Sequence, residues 1–432
     1  MNSKDNLGER LGDVSTISGA WVFTMNHGID DQQSVNIIIK DLLDAIHETD
    51  IYTEVPLEQD VTKFEFPKSI EQAIGGAGKA SLKTMFWAAY QLANSLQQPV
   101  VLPKKLLHTL RSSRSNPSPP LSELLNPSNR RTIIETFQWR SEDLLAIRNE
   151  CKSRKMTITH ILAAFMLCAS AVFVNGESGG GGEDGANGQP LEGTGGKGQV
   201  AYSEPVDTLR FLLSVGLRPY GDRTTEQAGV SGGKSPSSSD FTGGTVACAG
   251  GAVDFCVKVT AKERQAYRRL IQEKHSPGAV SVEDLEGIWE LARHCQKKAN
   301  FLFENDLVPE SVRLFDFGMR LIPILQAVEM DAGNPETLGR GYTCGVSNVG
   351  VVDFLVGDTN KGAGERLAVE AVYYGTSHAR NGVLLQLSCQ TVKNRLCGCL
   401  QFPYPIVSEE NAALVSDNLS EAVSRFAEKY TN

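Results

Sequence analysis

Residues 161–174, ILAAFMLCASAVFV, form an apolar run of 14 residues without a single charge. A helix that spans a bilayer needs about 20 such residues, so this run is too short to cross one. A helix that is apolar on every side belongs in the interior of a folded body. Thr157 and Thr159 stand where caps are useful, and a second helical stretch, SEDLLAIRNECKSR at residues 141–154, precedes them. In that stretch Ser141 comes before Glu142 and Asp143, the residue types that favour a helix N-terminus. The chain has the material to bury such a helix: 432 residues, 41% of them hydrophobic and 22% charged. That length exceeds one ordinary domain and predicts two lobes of roughly 150–200 residues each.

Charge and cysteine usage narrow the function classes. A net charge of −9 argues against a nucleic-acid partner, because phosphate recognition needs clustered Lys and Arg, and RSSRS at residues 111–115 reads as a solvated loop. The first 20 residues lack the apolar stretch of a secretory signal, which predicts a cytoplasmic protein, peripheral membrane association staying open. Nine cysteines of irregular spacing, several in apolar runs, read as reduced thiols. Cys397 and Cys399 share one face of an alternating strand, but no second pair or nearby histidine completes a zinc site. No metal is expected.

Strand and helix patterns mix in both halves, which predicts an α/β protein with mixed sheets. Residues 21–26 read as a strand, and Val35, Ile38, Ile39, Leu42, Leu43 and Ile46 then recur at helical spacing. A helix is expected at residues 81–96, a long surface loop at 111–130 and a strand carrying Ile133 and Phe137. Residues 175–199 hold eleven glycines in 25 positions and almost nothing to bury, so they read as a flexible linker; residues 229–244 loop out likewise. Residues 1–174 are therefore expected to form an N-terminal lobe and residues 200–432 a C-terminal lobe. In the second, strands are expected at 209–217, 252–259, 341–346, 368–374, 382–391 and 395–402, with helices at 282–305 and 409–429.

Several local patterns imitate known sites and fail on inspection. GGAGKAS at residues 75–81 resembles part of a phosphate-binding loop, yet Ala80 stands where a magnesium-binding hydroxyl belongs. DFG at residues 316–318 has no kinase loops around it. His27 is different. It ends the expected strand and precedes the expected helix, where an imidazole is held firmly and can present one nitrogen to a cleft. Asp31 lies across the same turn and suits an organising role, through backbone amides or an arginine.

NHGIDD at residues 26–31, followed by an Ile- and Leu-rich helix, resembles the H-x-x-x-D motif of the chloramphenicol acetyltransferase-like superfamily, which includes condensation domains and fungal alcohol acetyltransferases. The likeness runs along nearly the whole chain. Residues 140–170 resemble the family's paired helices, VGLRPYG at 215–221 the strand that opens its second lobe, and GIWELARHCQKKANFLF at 287–303 its tryptophan-bearing helix. CGVSNVGVVD at 344–353 is similar to an S-N-x-G loop at the lobe interface, and residues 382–410 to the closing hairpin and helix. In texture the chain resembles fungal alcohol acetyltransferase-like proteins most.

The resemblance implies two lobes with a tunnel between them and a histidine at its middle. His27 would be the general base that takes a proton from an acceptor, which then attacks an acyl thioester. Asp31 would be structural, paired with an arginine of the second lobe; Arg218 matches best, with Arg210 and Arg223 flanking it. Ser347 and Asn348 would lie on a substrate or oxyanion loop, where Gly345 and Gly350 allow a tight backbone. YGTSH at 374–378 would shape the tunnel mouth, with His378 not catalytic. The implied activity is transfer of an acyl group, acetyl by preference, from acyl-CoA to the hydroxyl of a small alcohol. Acyl-CoA is then a co-substrate, and no cofactor is expected.

Relatives carry on the order of a hundred residues before the histidine motif, whereas 26 precede His27 here, so an incomplete first lobe is expected. Asn26 replaces the extra histidine of condensation domains, and Gln32 stands where many relatives have glycine. Two other readings stay open: a non-catalytic relative that binds a ligand or partner, and a condensation-type N-acyltransferase.

Overall fold

The computed structural model describes residues 20, 22–24, 32–48, 81–97, 126–176, 207–217, 220, 250–273, 278, 280–321, 324–334, 337–352, 369–377 and 380–431. Its centre is one six-stranded sheet: β1 (Arg131–Trp139), β2 (Thr208–Gly216), β3 (Gly250–Lys258), β4 (Arg340–Val351), β5 (Gly382–Val392) and β6 (Arg395–Tyr404). The order across it is β1-β6-β5-β4-β2-β3. β4 runs parallel to both β5 and β2, and every other pair is antiparallel. The fold is therefore α/β with a mixed sheet, as the residue pattern predicts. Lys393 and Asn394, at φ 47° and 58°, close the β5–β6 hairpin in the left-handed conformation that matches strand twist.

Nine described helices surround or flank this sheet: α1 (Gln32–Glu48), α2 (Leu82–Gln97), α3 (Ser141–Ser153), α4 (Ile158–Val174), α5 (Ala261–Gln272), α6 (Val282–Glu304), α7 (Leu307–Leu321), α8 (Ile324–Ala332) and α9 (Glu409–Glu428). α4 is the apolar run, and every residue from 161 to 174 is buried. It packs on β4, β2 and β5 on one side and on α5, α6 and α9 on the other. Thr157 caps it with His160 in the reciprocal place usually taken by Glu, the Thr157 backbone N–H donating to His160 Nδ1 at 3.1 Å. An aromatic group locks the helices around it. Phe165 meets Phe426 edge-on at 5.2 Å, and Trp289, fully buried, donates from Nε1 to the Tyr430 hydroxyl at 2.8 Å. Each such side chain contributes roughly 1.5–3 kcal/mol through burial. No single described helix is long and apolar enough to cross a membrane.

Three expectations need correction. β1, α3 and α4, assigned by sequence to a lobe ending at residue 174, are built into the same sheet and core as residues 208–428: β1 pairs with β6 over its whole length. A strand cannot leave the sheet that completes its hydrogen bonds, so the break between residues 174 and 200 does not separate two cores. Residues 22–24 are not a strand; Val22 is 88% exposed, and among the described residues no strand pairs with them. Residues 369–377 are not a strand either, for reasons that belong to the site. The linker at 177–199, the loop at 229–244, the loop residues 111–125 and residues 75–80 of the phosphate-loop imitation lie outside the described residues.

α1 sits on the sheet face opposite α4. Ile39 and Leu43 pack with Val352, Val392 and Cys397, and Asn36 Nδ2 donates to Gln390 Oε1 at 3.0 Å. Asn36 and Gln390 are both fully buried, and Gln390 Nε2 donates onward to the Val372 carbonyl at 3.2 Å. Removing one amide leaves the other buried without its partner, a loss of about 1–3 kcal/mol. A double-mutant cycle of Asn36→Ala and Gln390→Ala, followed by denaturant unfolding, is expected to give a coupling energy above about 0.5 kcal/mol. A value indistinguishable from zero means that α1 is held by Ile39 and Leu43 alone.

The start of β4 is fixed by a knot of arginines. Arg130 donates to the carbonyls of Leu338 at 2.6 Å and Ala332 at 2.7 Å, while the fully buried Arg340 donates to the Val383 carbonyl at 2.9 Å. Burial, and then the neighbouring charge of Arg130, pull Arg340 down to about 9. Gly339 makes the close approach possible. It has φ +75°, and a Cβ there would lie 2.0 Å from the Arg380 carbonyl oxygen. Gly339→Ala therefore combines a left-handed backbone with a clash and is expected to cost at least about 2 kcal/mol in denaturant unfolding. Gly341→Ala, where a Cβ meets nothing within 4 Å, is the control and is expected to change stability by less than about 1 kcal/mol.

Candidate functional site

The two faces of the central strands differ in chemistry. Read at the period of two that a strand imposes, Leu385, Leu387 and Cys389 of β5 join the core around α4, while Gln386, Ser388 and Gln390 face the other way. All three of the latter are buried. On β6 the same side carries Cys397, Cys399 and Gln401, and register places Cys399 against Ser388 and Gln401 against Gln386. On β4 it carries Ser347, which is beside Ser388 in the parallel pairing. A polar row, buried on β5 and β6 and half-buried at Ser347, thus runs across the middle of the sheet, on the face that also receives α1.

Residues 369–377 cover this row as an extended strap. Its backbone meets side chains of the sheet. The Thr376 N–H donates to Gln401 Oε1 at 2.7 Å, and Gln401 Nε2 donates to Ser388 Oγ at 2.7 Å. The Tyr374 hydroxyl donates to the Ser347 carbonyl at 2.7 Å and lies 3.0 Å from Ser347 Oγ. Burial raises the thiols of Cys397 and Cys399, and the backbone N–H groups of Val372 and Tyr374 oppose the shift. Strap residues 372, 374 and 376 therefore sit over β6 residues 397, 399 and 401 at the same period. Close approach depends on Gly375, where a Cβ would lie 3.2 Å from Gln401 Cδ. This is why the expected strand at 368–374 is absent: the chain is extended, but its partners are the upright side chains of β6.

Ser347 and Asn348, expected on a loop, are part of strand β4, and they point in opposite directions. The Asn348 amide donates from Nδ2 to Thr159 Oγ1 at 3.1 Å, in the first turn of α4, and its Oδ1 accepts the Gly350 N–H at 3.0 Å. The Nδ2 end ties β4 to α4, and the Oδ1 end stays within β4. Ser347 stays on the polar face. His27, Asp31, Arg218, Arg223 and His378 lie outside the described residues. Of the arginines that flank Arg218 in sequence, Arg210 is already committed. It binds Asp254 through Nε at 2.8 Å and Nη2 at 2.7 Å and stacks 4.7 Å over the Tyr342 ring.

Sequence reasoning missed Ser388, Gln390, Gln401 and the role of Tyr374. The signal was present in LLQLSCQTV, where Gln, Ser and Gln alternate inside an otherwise apolar strand. Buried polar side chains at period two mark a face that meets something other than the core. Among the described residues, no three His, Cys, Asp or Glu side chains come together as a ligand set for a metal ion.

No protein-family model and no curated protein sequence matches the chain. Solved structures do. The trichothecene 15-O-acetyltransferase TRI3 of Fusarium sporotrichioides is 10% identical with a TM-score of 0.50, over 92% of this chain and 64% of that one. Polyketide synthase associated protein 5 of Mycobacterium tuberculosis is 10% identical with a TM-score of 0.47, over 94% of this chain and 72% of that one. The condensation domain of the monacolin K polyketide synthase MokA is 10% identical with a TM-score of 0.47, over 93% and 68%. The chain therefore spans less than two thirds of the acetyltransferase's length. With helices α4, α5, α6 and α9 packed on one face of a mixed sheet and a polar row on the other, the chain has the chloramphenicol acetyltransferase-like fold.

Proposed function

We propose that the protein is an acyltransferase that moves an acyl group from acyl-CoA to the hydroxyl of a small alcohol. One observation carries this reading: the polar row of β4, β5 and β6 presents the half-buried Ser347 on the face to which Asn36 and Gln390 fasten α1. α1 is the helix that follows His27 directly in sequence, so the histidine motif is tethered within about 18 Å of Gln32 by the length of an extended chain. The acetyltransferase of the same fold supports an acetyl donor and a hydroxyl acceptor.

In this reading His27 is the general base. Its imidazole takes the acceptor's proton as the oxygen attacks the thioester carbon. The carbonyl electrons move onto oxygen, where the Ser347 hydroxyl donates to the developing charge. Collapse breaks the C–S bond, and the sulfur leaves with its electron pair and receives the proton held by His27. Asp31 fixes the turn by pairing with Arg218. The commitment of Arg210 to Asp254 leaves Arg218, with Arg223 beside it, for that role.

His27→Ala is expected to reduce thiol release from acetyl-CoA, assayed against a panel of short-chain alcohols, by 10²-fold or more, with the melting temperature unchanged. A folded variant that keeps more than about a tenth of the wild-type rate removes His27 as the base. A wild-type chain that binds acetyl-CoA without ever releasing thiol points instead to the non-catalytic binder.

A further inference from the structure

We infer that the outer face of α6 docks on the surface of a bilayer that contains anionic lipid. The inference rests on where the unpaired cations of the molecule lie, and it does not depend on the acyl-transfer reading. Lys40, Lys258, Lys393 and Lys429 each face a carboxylate, as expected in a chain of net charge −9. Among the described residues Lys152, Lys155, Lys262, Lys297 and Lys298 face none. Three elements gather them around one helix. Lys297 and Lys298 project from α6 itself, on its exposed side with His294. Gln296 Nε2 donates to the Lys155 carbonyl at 2.7 Å, which ties the turn after α3, with Lys152 just before it, against the same helix. From α5, the Lys262 side chain crosses α6 at Gly287, where a Cβ would lie 3.7 Å from its Cε. Gly287 stands two turns before His294 and on the same side of the helix.

Like charges three and four residues apart work against a helix, and His294 stands in that relation to Lys297 and Lys298. Burial, and then Lys298 and Lys297, hold the His294 imidazole below its ordinary value, so the three groups are close enough to repel one another. Glu290 and Glu304 bound the row at its two ends, and neither pairs with these cations. Such a surface is relieved when an anion is laid across it. Phe301 decides which kind of anion. It lies one turn beyond Lys297 and Lys298 on the same side and is 51% exposed. A soluble phosphate gains nothing from a ring held in water. A bilayer takes such a ring in at the level of its headgroups while the lysines beside it meet the lipid phosphates and carboxylates. The placement also suits the fold. α4 stands between α6 and the central strands, so a bilayer docked on α6 leaves the polar row and the strap turned away from it.

The test is co-sedimentation of the full chain with vesicles of phosphatidylcholine alone and of phosphatidylcholine mixed with phosphatidylserine. The protein is expected to bind the mixed vesicles only, and to come off them as salt is raised. Lys297→Glu combined with Lys298→Glu is expected to weaken that binding by about tenfold or more, and Phe301→Ser by about threefold or more with the salt dependence kept. All three side chains are exposed, so melting temperatures are expected to change little; Lys297→Gln with Lys298→Gln serves should the charge reversal fail to fold. Lys393→Gln removes a paired lysine from the β5–β6 hairpin and is expected to leave vesicle binding unchanged. Wild-type protein that stays in solution with the mixed vesicles overturns the inference, as does a folded Lys297→Glu, Lys298→Glu chain that binds them like wild type. Wild-type protein whose His294 ring resonances move with inorganic phosphate while none of it sediments with vesicles also overturns it, and assigns the face to a soluble anion.

Discussion

The parallel contact of β4 with β5 is the constraint on which the remaining structure depends. Strands at the middle of such a sheet are buried on both faces, so each face has to be covered by something. One cover is α4, whose apolar surface leaves it no stable place except between this pair and the outer helices α5, α6 and α9. The other is chemically different. α1 supplies Ile39 and Leu43 at one end, and the strap supplies backbone donors along β6. The same two strands therefore act as a hydrophobic platform in one direction and as a rack of amides and hydroxyls in the other.

That division explains which parts of the molecule were legible in the sequence. α4, α3, α6 and α9, together with the β5–β6 hairpin, follow from local periodicity, because the apolar side of each element faces a single core. The α/β class follows in turn. α5 was passed over although Thr260 and Glu263 form a capping box visible in the sequence as T-A-K-E. α7 was passed over although Glu310 and Arg320 stand in its first and last turns, whereas α8 has neither an acidic first turn nor a basic last one. The strap was misread for a deeper reason. Its β-like composition is real and its backbone is extended, but strand assignment requires a backbone partner, and that information lies in Cys397, Cys399 and Gln401, far along the chain.

The candidate site was legible in outline and not in polarity. Ser347 and Asn348 are neighbours in a motif, and a motif has no sides. Only membership of a strand shows that consecutive residues point apart, which assigns Asn348 to the joint with α4 and Ser347 to the polar row. The lobe boundary failed in a similar way. The glycine-rich stretch at 175–199 is the most visible composition change in the chain, yet β1 lies before it and completes β6. Composition marks where a chain has little to bury; strand pairing decides which residues share a core.

The polar row also explains why a buried serine is tolerated in an otherwise apolar part of β5. An isolated Ser388 hydroxyl would cost about 1–3 kcal/mol in lost solvation. Gln401 offsets part of that by donating to Oγ, and Gln401 is itself satisfied by the Thr376 N–H, beside Gly375, where a Cβ would crowd the Gln401 amide at 3.2 Å. The chain of dependence runs from a glycine with no side chain, through a backbone donor and an amide of fixed orientation, to one hydroxyl oxygen that accepts. Each member is ordinary. Their order fixes the polarity of this face of the sheet, because each amide and hydroxyl is oriented by the partner before it.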